Sequence, residues 1–93
     1  MQGHESVWVF NGERSRLPGG VFGSRAEAEA WIERHGLTGL LTEYPVGVGV
    51  YEWAIASGRF TPKRPDQQTG EFIGRFTSAS LAHVHYENGK AVS

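Results

Sequence analysis

Ninety-three residues with 9 basic and 10 acidic side chains, a formal net charge of −1 and no cysteine describe one small domain. Such a chain has little core to spare and cannot be stapled by disulfides or thiolate-bound metal. It also lacks the basic surplus that an electrostatic nucleic-acid binder carries. MQGHES has neither the basic nor the apolar region of a signal peptide, and no apolar run approaches the roughly 20 residues that cross a bilayer. The expectation is a cytoplasmic protein with no membrane or nucleic-acid partner. Residues 1–5 are expected to be a flexible N-terminus and 6–93 a single α+β domain.

SVWVF, residues 6–10, is rich in β-branched and aromatic residues and predicts a strand. Val7 and Val9 fall on one side and Trp8 and Phe10 on the other, so the strand is expected to be central. Asn11-Gly12 suits a type I′ turn that would send the chain back through ERSRL, with GVF as a short edge piece. Ser24-Arg25-Ala26-Glu27 has the spacing of a capping box, and Ala28, Trp31, Ile32 and His35 follow at the i, i+3, i+4, i+7 spacing of one helical stripe. Gly36 then stops the helix, with Leu37 placed to fold back as in a Schellman motif.

LLTEYPV reads as a strand ended by Pro45. GVGVYEWAIASGRF fits two periods, and Gly58 after WAIAS favours a short helix from about Val50 to Ser57 over a strand. TPKRPDQQTG is polar and holds two prolines, which predicts an exposed loop. FIGRFTS and LAHVHY are expected to be the last two strands, the second at a sheet edge, with Asn88-Gly89 as a turn. The expected fold is α+β, a small antiparallel sheet with one or two helices packed on one face.

Alternation along LAHVHY places Ala82, Val84 and Tyr86 on one face and Leu81, His83, His85 and Glu87 on the other. Two imidazoles on one face can share a metal ion. Catalytic zinc needs three protein ligands, and a His-x-His pair supplies two. The preferred reading of His83, His85 and Glu87 is therefore a solvated or partner-facing surface, with no metal and no cofactor. Thr77, Ser78 and Ser80 lie near the histidines in sequence, but no nucleophile elbow or complete phosphate-binding glycine pattern accompanies them. Lys63 and Arg64, with Arg59 nearby, form a small basic rim. Most of Trp8, Trp31, Tyr44, Tyr51 and Trp53 are expected in the core, with Tyr51 or Trp53 as possible aromatic anchors for a partner.

VWVFNGE, GGVF, AEAWIERHGLTGLLTEYP, GVYEWAI, GRFTPK, and EFIG followed by FTSAS and HVHYENG resemble a small bacterial family of domains of unknown function, from Ser6 to Lys90. The resemblance implies no reaction, cofactor or catalytic residue. Proteins of this size and type are similar to small partner proteins, immunity proteins among them, of bacterial toxin and competition systems. The function expected is a non-catalytic protein-binding module of immunity or regulatory type that engages another protein. The alternative is a small histidine-dependent enzyme, or a ligand- or metal-binding domain, on the His83/His85 strand face.

Overall fold

The structure is a computed structural model and describes residues 5–92. The expected flexible segment lies outside these residues except for Glu5, whose carbonyl accepts from the Val46 N–H at 2.7 Å. Strand β1 (Ser6–Gly12) pairs along its whole length with β3 (Gly39–Pro45), from Ser6 opposite Pro45 to Gly12 opposite Gly39. The short β2 (Gly20–Phe22) flanks β1, and β4 (His83–Glu87) flanks β3. A two-residue β5 (Lys90–Ala91) completes a five-stranded sheet of order β2-β1-β3-β4-β5, antiparallel at every pairing.

Helix α1 (Arg25–His35) stops as its sequence dictates, while its start carries one half of the expected capping box, with no bond from the Ser24 N–H to the Glu27 side chain among the described residues. The Ser24 hydroxyl accepts from the Glu27 N–H at 3.2 Å, which satisfies one of the donors left free at a helix start. At the other end Gly36 takes φ 62°, Leu37 N–H donates to Ile32 O at 3.0 Å and Gly36 N–H to Glu33 O at 3.2 Å. That pair of bonds is a complete Schellman motif. Ala28 and Ile32 of the stripe are fully buried, Trp31 is half-buried, and His35 sits exposed against the Trp31 edge. They meet Phe10, Leu41, Val84 and Tyr86 from three strands, which form the core with Ala28 and Ile32. The alternation expected in β1 holds: Phe10 faces α1, with Trp8 packed against the same cluster.

Tyr86 adds a polar tie between the layers. Its hydroxyl donates to Glu29 Oε2 at 2.6 Å, and the same oxygen accepts from Arg25 Nε at 3.0 Å. Burial first, and the Glu29 carboxylate second, push the Tyr86 hydroxyl up to about 12. The Tyr86 and Arg25 hydrogen bonds hold the Glu29 carboxyl below its ordinary range.

Helix α2 (Val50–Ala56) confirms the helical reading of VYEWAIA, and Arg59 N–H closes its end on Ala54 O at 2.8 Å. Three expectations are corrected beyond it. FIGRFTS is not a strand: α3 (Gly70–Arg75) holds its first half, capped by Thr69 Oγ1 accepting from Phe72 N–H at 3.2 Å. TPKRPDQQTG is not wholly loop, because Pro65–Gln68 forms a turn of 3-10 helix. Asn11-Gly12 does not turn back; both stay in β1, and the chain bends just after them at Arg14, with φ 69°. The true Asn-Gly turn is Asn88-Gly89, with φ 52° and 87°, joining β4 to β5.

Phe60, Phe72, Phe76 and Tyr51 pack on one another as a second aromatic cluster, in which the Tyr51 hydroxyl donates to Gln67 O at 2.8 Å. The molecule measures 45 × 32 × 20 Å. Its shortest dimension is that of one sheet and one helical layer, since packed layers lie ~10 Å apart.

Candidate functional site

Strand β4 separates its side chains cleanly, with Val84 and Tyr86 buried and His83, His85 and Glu87 exposed, but the expected alternation fails just before it, where Leu81 is buried and Ala82 exposed. The register sets His83 opposite Thr42 and His85 opposite Leu40 on β3. One strand further, Thr42 faces Val9 and Tyr44 faces Val7. The sheet face opposite α1 thus runs from the valines of β1 to the histidines of β4. Val7, Val9, Leu40 and Tyr44 are only partly covered, and Val21 on the edge strand is 62% exposed.

At one corner the segment Thr77–Ala79 leans against β3 and β4 and encloses a cleft of about 260 Å³. Thr42, Tyr44, Ser78, His83 and His85 line it, with Leu40 as an apolar surface. His83 Nδ1 lies 2.7 Å from Leu81 O. A carbonyl can only accept, so Nδ1 carries the proton, and Nε2 of the neutral ring is left as an acceptor. The two imidazoles stand edge to face with centroids 5.8 Å apart. Ser78 Oγ accepts from the Ser80 N–H at 3.1 Å, which leaves its own proton to donate. Thr42 is 9% exposed, and its hydroxyl makes no side-chain hydrogen bond among the described residues.

The residues expected to form a site are only partly brought together. His83 and His85 share the cleft with Thr77 and Ser78, whereas Glu87 lies outside it. Tyr51 is 7% exposed and engaged at its hydroxyl, so it is a core residue of the aromatic cluster and not a surface anchor. Trp53 is half-buried, with the Arg59 guanidinium 5.5 Å above its ring. Lys63 and Arg64 are exposed beside the 3-10 turn, and Arg64 is paired with Asp66 at 3.1 Å. None of these four lines the cleft. The edge placement of β4 is corrected too: β5 pairs with Tyr86 and Glu87, and Val92 N–H reaches His85 O at 2.9 Å.

Thr42 and Leu40 have no place among the expected site residues, and Tyr44, grouped with the aromatics expected mostly in the core, is only partly covered here. Their alternation on β3 is visible in LLTEYPV, but the register that sets them beside the histidines is a tertiary fact. Among the described residues no three His, Asp or Glu side chains converge as metal ligands. A larger hollow of about 580 Å³ lies against α1, where Phe10, Trp31, His35 and Leu37 make it mainly apolar. No helix among the described residues is long and apolar enough to cross a membrane.

Fold and surface together define a small α+β domain with one sheet face packed on α1 and the other partly exposed, covered at one corner by Thr77–Ala79. Residues 7–92 match the family described as a domain of unknown function, DUF7710, and the chain belongs to that family. No curated protein and no solved structure matches it.

Proposed function

We propose that the protein is a non-catalytic protein-binding module, of immunity or regulatory type in a bacterial cytoplasm, that engages a partner protein through the sheet face opposite α1. One observation carries the reading: the sheet face away from α1 leaves apolar side chains partly exposed. Val7, Val9, Leu40 and Tyr44 remain partly exposed there, and Val21 is 62% exposed. Soluble monomers rarely leave contiguous apolar surface uncovered without a use for it. Its composition is also that of an interface: Val7, Val9, Leu40 and Tyr44 surround Thr42 with no charged group among them, and His83, His85 and Glu87 make a polar margin.

The partner that fits is a protein with a matching uncharged, apolar patch. Affinity capture from the native host, followed by alanine scanning of Val9, Leu40, Tyr44, His83, His85 and Glu87, tests the reading. A few of these substitutions are expected to weaken the complex by more than ~1 kcal/mol each, as interface hot spots do. A captured partner whose affinity is indifferent to all six would place the interface elsewhere.

A further inference from the structure

We propose that the cleft between β3, β4 and Thr77–Ala79 binds a small carboxylate-bearing molecule with a compact apolar body. This site goes beyond the partner-binding reading but shares Leu40, Tyr44, His83 and His85 with the proposed interface, so its test reads small-molecule binding by the chain alone. The lining is rich in hydroxyl donors. Tyr44 and Thr42 bring hydroxyl protons, and Ser78 accepts from the Ser80 N–H with one lone pair and keeps its own proton to donate. No Asp, Glu, Asn or Gln side chain lines the cleft, so within the lining these protons meet acceptors only in other hydroxyls and in the neutral imidazoles, and the imidazole acceptors vanish on protonation. Thr42 is the most telling, because a buried hydroxyl without a partner costs about 1–3 kcal/mol and is rarely left so without reason. A ligand rich in acceptors satisfies these donors, and a carboxylate offers about four lone-pair sites on two oxygens.

The imidazoles set the charge of that ligand. Bonded through Nδ1 to Leu81 O, His83 has Nε2 available, and on protonation this nitrogen becomes a second donor. An anion in the cleft favours the protonated ring, and the bond gained is charge-assisted. The surrounding groups leave this preference in place. Of the two titratable side chains on β3, Tyr44 lines the cleft and Glu43 alternates to the other face, Thr77–Ala79 contributes none, and no lysine or arginine lines the cleft. Glu87 and Lys90 stand opposite each other on β4 and β5 beyond His85, with charges of opposite sign. The Leu40 surface and the volume of about 260 Å³ fix the remainder as small and apolar, such as one ring or a branched aliphatic group.

The test is a titration of the full chain with sodium benzoate, followed by the imidazole C–H resonances in NMR, with benzamide as the uncharged isostere. Benzoate is expected to give saturable shifts of His83 and His85, and to bind ~10-fold more tightly near pH 6 than near pH 8. Benzamide is expected to bind ~10-fold more weakly than benzoate near pH 6, since it lacks the charge. Thr42→Val should weaken benzoate several-fold, and the double substitution His83→Asn with His85→Asn should abolish the pH dependence. No saturable shift with wild-type protein at either pH overturns the proposal. So does benzamide binding as tightly as benzoate, or benzoate binding that is unchanged in the double variant. The wild-type comparison of the two probes needs no variant to fold, and its failure leaves the partner interface untouched.

Discussion

The hydroxyl of Tyr86 links the sheet to the helix, and its protonation state is coupled to folding. The group is an acid whose folded value, about 12, lies above its ordinary value near 10. Its contribution is therefore complete below pH ~10 and is lost as pH rises from there through about 12. Tyr86→Phe should cost about 1 kcal/mol at neutral pH, because Glu29 keeps Arg25 and water as partners. Urea denaturation at neutral pH and near pH 11 checks both parts, and the variant should show a smaller alkaline loss than wild type. Glu29 acts with the opposite sign: its lowered value adds stability at neutral pH that disappears as acid protonates it.

Two glycines make a sharper residue-scale comparison. Both Gly36 and Gly89 have positive φ, but a Cβ on Gly36 would meet nothing within 4 Å. One on Gly89 would lie 3.2 Å from Gly36 Cα and 3.3 Å from the Glu33 backbone, because this turn docks on the end of α1. Gly89 N–H also donates to Leu37 O at 2.8 Å, and Asn88 N–H to Thr38 Oγ1 at 3.0 Å. Gly36→Ala is expected to cost ~1 kcal/mol from backbone strain alone, and Gly89→Ala ~2–3 from strain plus overpacking. Equal losses in chemical denaturation would contradict the docking of the turn on the helix.

Among the elements, α1 was the most legible because its start, stripe and stop are all local and all agree. Ser24→Ala should cost ~1 kcal/mol as a lost cap, and Ile32→Ala ~3–4, since Ile32 is fully buried against the sheet. Denaturation midpoints of the two variants would check the ratio. The segment after α2 was misread for an identifiable reason. Phe72, Ile73 and Phe76 suit a strand by composition, yet i, i+1 and i+4 also make a helical stripe. The signal that separates the two is Thr69 as N-cap, which within TPKRPDQQTG reads equally well as the end of a loop. Asn11-Gly12 misled in the converse way. The dipeptide permits a tight turn without requiring one, and here Asn11 and Gly12 complete the pairing with Leu40 and Gly39. The α2–α3 region has its own aromatic cluster, joined by rings stacked around Phe60. Phe60→Ala should therefore speed amide hydrogen exchange in α2 and α3 while the amides of β1 and β3 keep their protection.

For the whole molecule, composition and periodicity were enough to give a small α+β domain with an antiparallel sheet, and alternation alone put His83, His85 and Glu87 on one face. What stayed hidden was which neighbours those residues have. Strand order and register bring Thr42 and Leu40 beside the histidines, and no local pattern encodes either. Nor could alternation show that the face would lie open in a body only 20 Å thick, with the valines of β1 continuing it toward the far edge. That open face is the central claim, and photo-crosslinking tests it most directly. A photoreactive residue is placed in turn at Val9, at Leu40 and, as the control, at Ala30 on the exposed side of α1, and each protein is irradiated in the native host. The account predicts one discrete adduct of the same partner from Val9 and Leu40 and none from Ala30. An adduct confined to Ala30, or no adduct from either sheet position, would contradict it.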